Sequence, residues 1–595
     1  MSEVVHLASP GQGANINHRL AALVELFFHE EYPLPSYSFL HPKSTIAKCH
    51  KGTLDPCLLL ALAGVATLHI SRCLSAEKSS NRNDSEDSLT CTCHGLTPIQ
   101  ASEQLIWSTI ENPTISRLQA LLLCINHYMH TGRFQRAFML AALAARFAAA
   151  LRLHRESQDL DVVAQETRRR IVWSLKLVER YFSIGLPEFE LCPFESIYIQ
   201  LPCVEAAYDA GLQETLLEDP PSPSLLENDY GAYQLCVNLE SLRRDIVKLG
   251  RAFDHCEGIS PQIPSLIRSF ERTLFDFGPK MPHGPALSFE QLNALINSRW
   301  LPRHVALQLS WHQCHCDLYR LLLRGYPEAA PRPALEALLE GTTGEETDCN
   351  DIFLRAERHC LHHANAIILI ISTINQQSSR PCLLEFDTAI CAYHATRLLC
   401  FISRFGRDIH ARPSEEFAAS RLDLCLAALR RFFPQSKLVE PIVAEMEKSR
   451  HTLTTLTLRA PASEMKENLA VHSLLRLARF SDRDEVDHLE ASTAAKPQNS
   501  SISPRRDTSG QPWTSPRWTG GWNGQVASYN APLEHELSAQ SMIVQDLSID
   551  ALTEALLTAQ DSGHNWDWDF ASFMPLQAWE MSNPFPSQLD FMAQE

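Results

Sequence analysis

The chain has 595 residues, a formal net charge of -18, 45% hydrophobic and 21% charged residues. That is too long for a single core and ordinary for a globular protein of several domains. The acidic balance argues against a broad electrostatic grip on nucleic acid, which needs a basic face.

The opening MSEVVHLASPGQG lacks the basic-then-apolar pattern of a secretory leader. The longest apolar run, Cys57 to Ile70, is short for a span of about 20 residues, so no membrane contact is expected. The 18 cysteines sit among leucines and alanines, which reads as reduced core thiols and an intracellular chain.

Residues 1–18 are polar and read as a flexible leader. A helix is expected from about His18, where Leu20, Leu23, Val24, Phe27 and Phe28 recur at helical spacing. Pro33 and Pro35 end it, and PLPSYSFLHP reads as an extended connector. The turn before Pro56 opens a helix that is apolar all round, and 75–95 is a polar insertion expected to be loop. Helical runs at 97–112, 115–131, 133–153 and Thr167–Tyr181 follow, with Arg168, Arg169 and Arg170 read as a solvated helix start or a short basic import signal.

A Pro- and Glu-rich loop, 187–224, precedes a second set of helices. They are expected near 230–256, 261–277, 288–324 (interrupted by Pro302), 352–376, 383–404, 414–432, 436–457 and 464–480. No run alternates with period two, so the fold class is all-α: helical hairpins stacked in two blocks, 19–202 and 203–480. The composition then turns to Ser, Pro, Gly, Gln and Asn over 481–545, a linker too polar to offset its ordering entropy. Residues 546–595 form an acidic-aromatic tail.

In that tail Leu552 and Leu556 lie on one face of a short amphipathic stretch. Trp566, Trp568, Phe570, Phe573 and Trp579 alternate with Asp567, Asp569 and Glu580. Charge repulsion keeps such aromatics in solvent, where they dock into a coactivator groove. The same residues could instead tether or clasp the tail onto the helical body.

Other constellations carry little chemistry. HQCHC (His312 to Cys316) points its four ligand-type side chains around a helix, and HCLHH supplies one i, i+4 pair, His359 and His363; neither is read as a metal site. Cys91 and Cys93 lack partner ligands at zinc-finger spacing. There is no Gly-rich phosphate loop, GxSxG, HExxH or aspartate-rich helical motif, so no enzyme is expected and no cofactor or catalytic residue is nominated.

Several segments occur in an order that resembles one family. They are FHEEYPLPSYSFLHP (Phe28 to Pro42), GTLDPCLLLA (Gly52 to Ala61), the long run Thr114 to Glu156 ending in LRLHRE, ETRRRIVW (Glu166 to Trp173) and LPRHVALQLSWHQCHCDLYRLLLRG (Leu301 to Gly325). Together, over about residues 20–320, they resemble the fungal-specific transcription factor domain, the middle region of fungal binuclear zinc cluster regulators. The resemblance implies a nuclear regulator of RNA polymerase II transcription, with promoter DNA and coactivators as partners, a homo- or heterodimer, and a small-molecule effector. Members usually carry an N-terminal six-cysteine zinc cluster that reads DNA, and these residues show no such pattern. Zinc is therefore expected only with a cluster encoded upstream. Without one, the alternative is a DNA-binding-deficient cofactor or scaffold that partners a full-length zinc cluster regulator.

Overall fold

The apolar periodicity resolves into helices. A computed structural model describes residues 10–78, 96–157, 159–183, 189–193, 196–211, 231–255, 263–285, 287–330 and 346–454. Among them there is no strand; Arg155 and Tyr198 form an isolated parallel bridge.

The first helices are α1 (Pro10–Leu26), α2 (Pro42–His50), α3 (Pro56–Lys78), α4 (Pro98–Ser108), α5 (Ile115–His130) and α6 (Phe134–Ala150). Then come α7 (Val162–Ser183), the short α8 (Glu205–Ala210), α9 (Ala232–His255), α10 (Ile263–Phe277) and α11 (Phe289–Ile296). The set closes with α12 (Leu301–Tyr319), α13 (Glu346–Gln377), α14 (Asp387–Phe405), α15 (Glu415–Phe432) and α16 (Glu440–Thr454).

The starts follow capping chemistry. Thr97 and Ser288 each form a reciprocal capping box, with Gln100 and Gln291 respectively. Asp55 accepts the Cys57 N–H at 2.8 Å, with Pro56 opening α3 where its missing N–H costs nothing. After α5 the chain reverses through Gly132 at φ +81°, a conformation glycine adopts without strain.

α3 packs on α1, α4 and α5, and α5 pairs with α6. By length and composition its stretch Pro56–Cys73 could cross a membrane, more than the Cys57–Ile70 run suggests; half of that stretch is buried within this fold. α7 joins the second set through Trp173 and Leu177 against Tyr233 and Val237 of α9. At the centre α12 touches α9, α10, α13 and α14.

Three details differ from the sequence reading. α1 begins at Pro10, inside the stretch read as a leader, because proline suits a first helical turn. The connector after Tyr32 is not extended throughout, since Pro35–Tyr37 is a 3₁₀ turn, and the helix before it ends in a π-turn, Phe27–Glu31. The polar helix α2 has only Thr45 buried among its residues, so no apolar period announces it; the His41 side chain caps it by accepting the Ser44 N–H at 3.3 Å. The expected break in the 288–324 run is present and falls at 297–300, just before Pro302, which lies in the first turn of α12. The expected helix at 464–480, the linker and the tail lie outside the described residues, as does most of the 75–95 insertion.

Gly64 fixes the closest crossing. A Cβ there would fall well inside van der Waals contact with the Ile99 side chain of α4. Gly64→Ala is therefore expected to destabilise by about 1–3 kcal/mol through overpacking, although alanine gains about 1 kcal/mol in helix propensity. Urea denaturation reads the balance, and a raised midpoint would show that Ile99 yields instead.

Candidate functional site

The described helix with the most unusual burial is α12. All of its residues except Ala306 are buried, yet they include Arg303, His304, Gln308, Ser310, His312, Gln313, His315 and Asp317. Burying that much polarity is costly unless each group is paired. The partners form three nodes along the helix.

The first node is a clamp on one carboxylate. Arg170 of α7 and Arg303 of α12 each donate from Nη1 to Glu205 Oε2 at 2.8 Å, and the Tyr32 hydroxyl donates to Oε1 at 2.5 Å. Arg170 Nε also donates to Glu166 Oε1 at 2.9 Å. Arg303 donates to the Pro33 carbonyl and to Ser38 Oγ, and Arg170 to the Ser38 and Cys203 carbonyls. Both guanidiniums have no exposed surface, and they lie over the rings of Tyr208 (Arg170) and Trp300 (Arg303). Burial alone would raise the Glu205 pKa; the charges of Arg303 and Arg170, with the Tyr32 hydrogen bond, hold it at about 2.

The second node faces α9 and α14. Arg243 grips both oxygens of Asp387, at 2.9 and 2.7 Å, and reaches Asp317 Oδ2 at 3.3 Å. Asp317 also accepts from Gln313 at 2.8 Å and pairs with Arg320 at 3.0 Å. Arg180 of α7 pairs with Glu240 at 2.7 Å and lies 3.9 Å from Asp387. Three arginines thus meet three carboxylates, so each buried charge has a partner of opposite sign.

The third node is a stack of histidines between α12 and α13. His312 Nδ1 and His363 Nδ1 are 2.9 Å apart, so one donates and the other accepts. His315 lies flat on His363, ring centroids 4.0 Å apart and 3° from parallel. Tyr319 stacks on His359 at 4.3 Å, and Trp311 meets His312, His315 and His363 edge-on. Neither ring nitrogen of His315 has a hydrogen-bond partner. Burial lowers His312 to about 3 and His359 to about 4, and puts His315 and His363 well below the ordinary value. Among the described residues no three His, Cys, Asp or Glu converge on a metal-holding geometry; parallel stacked rings direct their lone pairs apart.

The structure thus gathers His312, His315, His359 and His363 from two separate motifs, while Cys314 and Cys316 are buried on α12 outside the stack. Arg170 is not part of a solvated helix start. α7 begins at Val162, which places Arg170 in its third turn facing the core. The tail residues Leu552, Leu556, Trp566, Trp568, Phe570, Phe573 and Trp579 lie outside the described residues. Glu205, Arg243, Arg303, Asp317 and Asp387 went unnoticed in the sequence. The available signal was a lone charge inside an apolar helical run, as in LPRHVALQL.

Two outcomes follow from these pKa values. Glu205 has its folded pKa below the unfolded one, so its contribution is fully present above about pH 4.5 and is lost as pH falls toward about 2. Glu205→Gln leaves two buried arginines without their shared carboxylate and is expected to cost about 3–5 kcal/mol at pH 7, measured by urea denaturation. The histidines remain neutral in the fold while the unfolded chain takes up protons below about pH 6.5. Stability is therefore expected to fall by up to about 1.4 kcal/mol per pH unit for each such histidine, down to its folded pKa. His315→Phe, which keeps a flat ring, is expected to flatten thermal stability between pH 7 and 4.5; an unchanged slope would remove His315 from this account.

Residues 24–306 match the fungal specific transcription factor domain. The Zn(2)-C6 fungal-type transcription factor FTF1c of Fusarium oxysporum f. sp. lycopersici is 27% identical over 219 residues, covering 34% of this chain and 22% of that protein. Factor FTF2 of the same organism is 29% identical over 191 residues, covering 30% and 17%. The thiamine repressible genes regulatory protein thi5 of Schizosaccharomyces pombe is 34% identical over 310 residues, covering 49% and 34%. The match to the FTF relatives thus spans about a fifth of their length. No solved structure matches the chain. These relatives are transcription factors, not enzymes, and the first node (Tyr32, Glu166, Arg170, Glu205, Arg303) lies wholly inside the matched segment. Over residues 24–306 the chain is similar to the fungal specific transcription factor domain family.

Proposed function

We propose that this chain is a nuclear transcriptional regulator of fungal type that controls RNA polymerase II transcription. The observation that carries the reading is the domain match over 24–306, joined to relatives whose names place them in gene regulation. The helical body is the regulatory part, and a small-molecule effector or a partner subunit in a homo- or heterodimer acts on it. The α12 nodes support that role, because a buried network of ion pairs and stacked rings resists gradual deformation and changes only between discrete arrangements.

The acidic-aromatic tail supplies the contact to coactivators, through Leu552, Leu556, Trp566, Trp568, Phe570, Phe573 and Trp579. Promoter DNA is reached through a zinc cluster, either one encoded with this chain or one carried by a partner. In the second case the chain is a cofactor or scaffold for a full-length zinc cluster regulator.

Residues 534–595 fused to a heterologous DNA-binding domain are expected to activate a reporter, and Ala at Trp566, Trp568 and Phe570 to abolish most of that activity. An inert fusion would eliminate the activation role. A specific mobility shift of promoter DNA by this chain alone would exclude the scaffold reading.

A further inference from the structure

Of the cysteines in the described residues, Cys73 is the exposed one; the others are buried or half-buried. It lies on α3 one turn after His69, whose Nε2 is 3.5 Å from Cys73 Sγ. The other ring nitrogen, Nδ1, is 3.1 Å from Glu31 Oε1 on the π-turn, so Nδ1 carries the proton and Nε2 is left to accept one. Glu31 is 1% exposed and His69 13%, and Glu31 Oε2 has no hydrogen-bond partner. A solvent-facing thiol, an imidazole and a buried orienting carboxylate, drawn from segments 38 residues apart, form the nucleophile–base–orienter arrangement that activates cysteines.

We propose that Cys73 is a covalent modification site for soft carbon electrophiles of the α,β-unsaturated carbonyl class, with His69 as its general base and Glu31 as the residue that positions the base. Sγ forms a bond to the β-carbon while His69 Nε2 takes the thiol proton. The C=C π pair moves onto the α-carbon as an enolate, and that carbon then receives the proton from Nε2. The sum is addition of S–H across the double bond, with the imidazole regenerated and no oxidant or metal consumed.

The surroundings suit a base. Burial would lower the His69 pKa, but the hydrogen bond and charge of Glu31, with Glu30 beyond it, leave it raised. Arg72 lies 3.9 Å from Glu31 and opposes this weakly. His127 and His130 of α5, which feel Arg72, are held neutral by burial, and the Tyr37 hydroxyl near Glu31 stays protonated. The rest of the chain offers a built-in comparison: Cys49 is half-buried and its thiol is pushed up by burial.

The test treats the full chain with limiting N-ethylmaleimide and reads each cysteine by peptide mass mapping. At pH 7 folded Cys73 is expected to react at least ~100-fold faster than Cys73 in the urea-unfolded chain, the low end of what a positioned base supplies. His69→Gln should remove that excess while circular dichroism stays unchanged. Equal folded and unfolded rates would overturn the proposal, as would a folded His69→Gln protein that reacts as fast as the parent. If the variant does not fold, the pH–rate profile of the parent decides. A rate that titrates with an imidazole supports the relay, and a rate that merely tracks free thiolate overturns it.

Discussion

One carboxylate held between two buried guanidiniums organises much of this molecule. Glu205 binds Arg170 of α7 and Arg303 of α12, and through them draws in Tyr32, Pro33 and Ser38 of the connector and Cys203 before α8. These residues come from four stretches of chain separated by up to 271 positions, Tyr32 to Arg303. Apolar packing tolerates small slippage because it is non-directional. A bidentate network of charged donors in a low dielectric does not, because a shift of one helical turn would leave an unpaired charge in the core. The clamp therefore sets the register of α12 rather than merely adding stability.

The other two nodes extend that logic along the same helix. Arg243, Asp317 and Asp387 tie α12 to α9 and α14, and the histidine stack ties it to α13. The ionised nodes balance internally: two Arg against two Glu in the first, three Arg against three carboxylates in the second. The histidine node is balanced by neutrality. Electrostatics and aromatic packing thus hold a single helix at its start, middle and end, and a disturbance at one of these points is felt as strain at the others.

The helices themselves were largely legible, because long apolar periods bounded by Pro, Gly and capping residues survive any tertiary context. α2 was not, since only Thr45 among its residues is buried and only a histidine cap and Pro42 mark it. Pro302 was visible, but its sign was not: a proline ends one helix or begins the next depending on which side packs. The nodes were illegible for a deeper reason. Sequence pattern treats Arg as a solvated residue, and Arg170 sits in a run of three arginines that looks like a surface. The helical-wheel reasoning over HQCHC was sound for one helix, but it could not supply His363, which arrives 51 residues later on a crossing partner. Pairing across elements is three-dimensional information, and a single sequence carries it only faintly.

The family match ends at residue 306, inside α12. That boundary cuts between the nodes: the clamp falls within it, whereas Asp317, His312, His315 and every partner on α13 and α14 fall beyond. Yet α12 is buried along its whole length, by α9 and α10 from one side of the boundary and by α13 and α14 from the other. Trp311 shows the consequence, since its ring nitrogen donates to the Leu274 carbonyl of α10 while its ring meets His363 of α13 edge-on. The cooperative unit is therefore larger than the matched segment. The helices after 306 complete the core that the matched segment begins, and any signal that reaches α12 is shared between the two.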